Sequence, residues 1–92
     1  MTAWPFADSP DTLIFTTQPV LDGAPVVDVF HDEDGDWQML CGTTLNPADG
    51  RMVHVEHLVQ MHPSLCDLSD LPLGWSATVC DDPGHHGWCR SP

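Results

Sequence analysis

Along Val26–Thr44, VVDVFHDEDGDWQMLCGTT, side chains alternate with a period of two. Val27, Val29 and His31 stand against Asp28, Phe30 and Asp32, and Trp37, Met39 and Cys41 against Gln38 and Leu40. A strand imposes that period, because successive side chains leave opposite faces. The two runs meet at Asp34-Gly35, a pair that tolerates the positive φ values of a type I′ turn. A two-residue loop there sets Glu33 opposite Asp36, Asp32 opposite Trp37, His31 opposite Gln38, Phe30 opposite Met39 and Val29 opposite Leu40. Apolar pairs then fall on both faces, so the hairpin is expected at the centre of a sheet and covered on two sides.

The flanking segments supply the rest of the layout. Residues 1–11, with Pro5 and Pro10, read as an irregular arm in which Trp4 and Phe6 pin the terminus to the body. Thr12–Thr17, TLIFTT, has the β-branched and aromatic content of a strand, and Val20–Pro25 turns around Asp22-Gly23. Asn46–Gly50 is loop chemistry with a second Asp-Gly turn, and Arg51 and Met52 lead out of it. From Val53 the period changes: Met52, Val55, Leu58 and Val59 share one helical face, and the helix ends before Pro63. Ser64 suits the N-cap of a second helix carrying Leu65, Leu68 and Leu71, which Pro72 stops. Trp75–Val79 reads as a strand, Asp81–Gly84 as a turn and Trp88–Arg90 as a brief edge. Strands early, helices in the middle and strands late predict an α+β fold, an antiparallel sheet of about four to five strands with one or two short helices packed on one face. At this length a single domain, 1–92, is expected.

Composition then narrows the chemistry. Leu, Ile, Val and Phe make up 21 of the 92 residues, above the roughly one-fifth below which chains tend to stay disordered. Two arginines, no lysine and 14 acidic residues give a net charge of −12. Nucleic acid and anionic membrane surfaces are excluded as direct partners, since both need a positive surface. A basic protein partner is favoured, although the same charge also serves solubility or adaptation to salt. Without Lys there is no Schiff base and no phosphate-loop lysine. The first residues show neither a basic n-region nor an apolar run of signal-peptide length, which leads to an expectation of a cytoplasmic protein whose four cysteines, lacking any CxxC spacing, are mostly thiols.

Several clusters invite a functional reading. The acidic run HDEDGDW suggests calcium, but placing Gly35 at loop position six puts Phe30 and Cys41 where an EF-hand needs carboxylates. A solvated acidic turn is the simpler account. His54 and His57 stand three apart on the expected helix, within reach of one metal, with no obvious third ligand. In the tail, Cys80 and Cys89 flank a turn containing His85 and His86, so the sulfurs could face each other as thiols, as a disulfide or as Cys2His2-like zinc ligands. Cys41 and Cys66 fall on apolar faces and read as core fillers. Trp37, Trp75 and Trp88 read as core anchors, or, if exposed beside the acidic loops, as part of a partner-binding patch.

Gly23–Thr44 with its HDxDGDWQxL motif at His31–Leu40, together with Asp49-Gly50, His62–Leu65 and Leu71–Ala77, resembles a family of small uncharacterised bacterial proteins. Related members are described as immunity proteins of polymorphic toxin systems. The resemblance implies an α+β domain that acts by binding, with no catalytic residues to carry over. The chain departs from the family pattern at Met39, where an aromatic residue is usual, at Val79-Cys80, where a basic residue is expected, and in its tail cysteines.

Two functions therefore compete. The first is a non-enzymatic, immunity-like binding protein without a cofactor, meeting a basic partner through Asp32, Glu33, Asp34, Asp36 and Trp37. The second is a small zinc-binding protein using Cys80, His85, His86 and Cys89. A hydrolase ranks below both, because no nucleophile motif is present and the chain is short for a substrate pocket.

Overall fold

The computed structural model describes residue 4 and residues 6–42, 47–82 and 85–92. Among these, six strands occur: β1 (Leu13–Thr17), β2 (Asp28–His31), β3 (Trp37–Leu40), β4 (Gly50–His54), β5 (Ser76–Asp82) and β6 (His85–Ser91). They form one sheet in the order β4-β1-β3-β2-β5-β6. Every pairing is antiparallel except β1 with β3, which is parallel. The α+β class stands, while the expected antiparallel sheet of four to five strands becomes a mixed sheet of six. The parallel contact arises because β3 inserts between β2 and β1, so the first strand meets the far side of the hairpin that follows it.

The central hairpin is real but its register differs by one residue from the expected one. His31 pairs with Trp37, Phe30 with Gln38, Val29 with Met39 and Asp28 with Leu40. The loop explains the slip. The Asp32 N–H donates to Asp36 O at 2.8 Å and the Gly35 N–H to Asp32 O at 2.9 Å, so Glu33, Asp34 and Gly35 form a three-residue loop. Only Gly35, at φ +96°, needs the left-handed region, and no non-glycine residue among those described has positive φ. A type I′ turn would have required Asp34 there as well. A three-residue loop with glycine in its last position is the next commonest hairpin solution.

Helix formation is sparse. One turn, α1 (Gln18–Leu21), follows β1 directly, with Pro19 in its first turn where a missing N–H costs nothing. The second helix, α2 (Val55–Met61), is the expected one, but it starts later. Residues 50–54, part of which had been assigned to that helix, instead form edge strand β4, paired along its full length with β1. His54 offers no side-chain cap to α2. Two orphan donors of the first turn find the N-terminal arm instead: Val55 N–H donates to Thr12 O at 2.8 Å and Glu56 N–H to Pro10 O at 3.1 Å. The second expected helix is a 3-10 segment, Pro63–Leu68, preceded by His62 rather than capped by Ser64. Leu65, Leu68 and Leu71 are all buried as their spacing required.

The core lies on one side of the sheet. Ile14, Val29, Trp37, Met39 and Ala77 project from it to meet Val55, Leu58, Leu65 and Leu68 of the helical layer, all essentially inaccessible. Trp37 stacks on the His31 ring, centroids 3.8 Å apart and 9° from parallel, and takes Phe6 edge-on at 5.5 Å. Its indole N–H donates to Asp8 Oδ1 at 3.2 Å, while the Trp4 indole N–H donates to Asp8 O. The arm is pinned by Trp4 and Phe6 as expected. Among the described residues no element packs on the other side of the sheet, where Leu13, Phe15, Phe30 and Met52 are exposed, and this overturns the expectation of a hairpin enclosed on both faces.

Candidate binding face

The uncovered face is ordered by the register. Met52 of β4, Phe15 of β1, Gln38 of β3 and Phe30 of β2 stand side by side in one row. Two residues toward the hairpin loop, the same geometry aligns His54, Leu13, Asp36 and Asp32 in a second row. Four of these side chains are large, apolar and open to solvent: Leu13 is 53% exposed, Phe15 36%, Phe30 39% and Met52 57%. Large apolar groups scattered singly need no explanation, whereas a contiguous set on one flat face does. Leu13, Phe15 and Met52 border a groove of about 290 Å³ lined also by Trp37, Gln38, Asp32 and Asp36. Gln38 donates through Nε2 to Asp32 Oδ2 at 3.0 Å, which holds the carboxylate beside the groove.

Both arginines of the chain are engaged elsewhere. Arg51 donates to Gln18 Oε1 at 3.1 Å and to the carbonyls of Ala48 and Gly50. Arg90 donates to Asp67 O and pairs with Asp70 at 2.8 Å on the helical side of the sheet. Neither arginine therefore pairs with Asp32 or Asp36 at the acidic end of the groove.

The residues expected to meet a partner divide. Asp32 and Asp36 line the groove. Asp34 is exposed but its Oδ1 accepts the Asp36 N–H at 3.2 Å, closing its own turn. Glu33 leans away, its stem against Gly74. Trp37 also borders the groove, but it is only 2% exposed and its indole packs in the core. The apolar half of the groove was missed, because Met52 had been assigned to a buried helical face; an in-and-out alternation over Met52, Val53 and His54 was the available signal.

The tail forms the expected hairpin. Cys80 and Cys89 are joined as a disulfide, their Cα atoms 5.5 Å apart, so the expectation of thiols is corrected for this pair. Sulfurs bonded to each other offer no thiolates to zinc. The side chains of His85 and His86 lie outside the described residues. Cys41 and Cys66 are thiols, Cys41 buried 3.5 Å from Thr17 Oγ1. His54 and His57 are exposed around shallow hollows beside the groove. Among the described residues no group of three or more His, Cys, Asp or Glu is placed to hold a metal ion, and no helix is long and apolar enough to cross a membrane.

Hydrogen bonding draws two carboxylates below their ordinary value of 3.8. Asp70 is lowered chiefly by the Arg90 guanidinium and Asp11 chiefly by the Ser9 hydroxyl. Neither borders the groove. No protein-family model matches the chain, and no curated protein and no solved structure matches it significantly.

Proposed function

We propose that this protein is a non-enzymatic binding protein that sequesters a basic protein partner. The observation that carries the reading is the pairing of uncompensated Asp32 and Asp36 with exposed Leu13, Phe15 and Met52 around one groove, on a chain of net charge −12. Apolar contact supplies affinity there, and the acidic rim steers encounter and rejects acidic competitors. Immunity against a toxin domain is the specific form supported by the resemblance at His31–Leu40.

The test is capture from a host extract at low salt, followed by salt titration of the bound protein against the chain and its Asp32→Asn, Asp36→Asn double variant. A partner of high isoelectric point is expected, released progressively by salt and bound more weakly by the variant. A neutral or acidic partner, or one indifferent to both salt and the variant, would overturn the reading.

A further inference from the structure

The basic-partner reading leaves open what shape of partner the groove accepts, and the backbone of the sheet restricts it. In β1, β3 and β2 the strands are paired on both edges, so this face presents side chains and no spare backbone donors or acceptors. Whatever lies on it gains no backbone hydrogen bonds from the sheet, which favours a segment that satisfies its own, as an α-helix does. A strand could add only to an outer edge of the sheet, at β4 or β6, and would leave Phe15 and Phe30, further into the sheet, uncovered.

Dimensions agree. Neighbouring strands lie about 4.8 Å apart, so β4, β1, β3 and β2 span about 14 Å between their outermost axes. One helix with its side chains is about 10–12 Å wide. The row Met52, Phe15, Gln38, Phe30 therefore offers the width of a single helix, and Asp32 and Asp36 sit to one side of that row.

Charge selects among helices. A second copy of this chain would bring another −12 and the same carboxylates against this face, a repulsive isologous contact. A helix with Arg or Lys beside its apolar stripe places cations against carboxylates that the chain's own arginines leave unneutralised.

We infer that the open face of β4-β1-β3-β2 is a docking site for one amphipathic helix of the partner, its apolar stripe over Phe15 and Met52 and its cationic flank against Asp32 and Asp36. This rests on the reading above and adds the site and the shape of the ligand.

The experiment uses two synthetic probes on the full chain: a helical Leu/Lys peptide with an apolar stripe, and a Gly/Ser/Lys peptide of equal charge that forms no helix. Binding is followed by calorimetry and by the ¹³C-labelled methionine ε-methyl signals, with Met61 in the helical layer as internal control. The Leu/Lys helix should bind one to one and shift the Met52 methyl but not that of Met61. Phe15→Ser with Met52→Ser should weaken it roughly tenfold or more, the loss expected for truncated anchors, whereas Leu73→Ser, at an exposed site elsewhere, should not. Equal binding of both peptides would refute the helix site while leaving the basic-partner reading intact. Binding of neither at low salt would refute both. A concentration-dependent dimer that shifts the Met52 methyl without peptide would assign the face to a second copy instead. The methyl readout on the unmutated chain decides the matter even if the serine variants fold poorly.

Discussion

Replacing Gly35 by alanine tests the loop geometry on which the register, and with it the composition of the open face, depends. Gly35 sits at φ +96°, and a Cβ added there would meet nothing within 4 Å. The cost is therefore backbone strain alone, about 1–2 kcal/mol for a non-glycine residue held in the left-handed region. In a domain of this size each kcal/mol lowers Tm by about 4–8 °C, so Gly35→Ala should melt about 4–16 °C below the parent. Asp34→Gly supplies the discriminating arm. In a two-residue type I′ loop Asp34 would also hold a positive φ, and glycine would relieve it. Here Asp34 has no positive φ and its carboxylate accepts the Asp36 N–H. Glycine should then cost about 0.5–1 kcal/mol through added freedom in the unfolded chain. Urea titration followed by Trp fluorescence and thermal melting by circular dichroism would measure both. A stabilising Asp34→Gly would refute the three-residue loop and shift the hairpin by one residue. Gln38 would then exchange faces with Met39 relative to β2, and the apolar row would be lost.

Leu58→Ala, at a fully buried site between helix and sheet, should cost about 2–5 kcal/mol in urea unfolding; a loss under 1 kcal/mol would mean that the helical layer is not packed as described. Phe15→Ser with Met52→Ser should change stability little, because surface substitutions usually stay within about 0.5 kcal/mol each, and a collapse in Tm would show that this face is buried in solution. Thiol titration of the non-reduced protein in denaturant, which exposes buried Cys41, should find Cys41 and Cys66 only, and reduction should lower stability by about 2–3 kcal/mol, the loop entropy of a cross-link of this span; four titratable thiols would refute the cross-link. The lowered Asp70 carboxyl contributes stability that is present above its ordinary value of 3.8 and is lost as pH falls through its lower folded value. Asp70→Asn should therefore lose that small contribution at neutral pH and match the parent well below about pH 4, which flattens the acid limb of the stability curve, whereas an unaltered acid limb would show that the Arg90 contact is not maintained.

Local chemistry made much of this protein legible before any coordinates. Period-two runs marked the β2–β3 pair, because alternation follows from the pleat whatever the neighbours are, and β-branched and aromatic content marked β1. The spacing of Val55 and Leu58, and of Leu65, Leu68 and Leu71, marked the buried side of the helical layer. The acidic turn was read from the HDEDGDW run and the scarcity of cations from composition.

What tertiary structure decided were choices between local solutions of similar cost. Asp34-Gly35 suits either a two-residue or a three-residue loop, and the pairing of Val29 with Met39 and of His31 with Trp37 on the core face selected the second. Arg51–His54 carries no strong strand signal. It became β4 because β1 offered an unpaired edge, and the arm's Pro10 and Thr12 carbonyls then capped α2 without any capping side chain. That choice turned Met52 outward beside Phe15 and created the groove. The side of the hairpin on which β1 docks is written in no local pattern, since a strand's edges carry the same backbone groups; it is settled when all the apolar side chains of one face find a single helical layer to cover them.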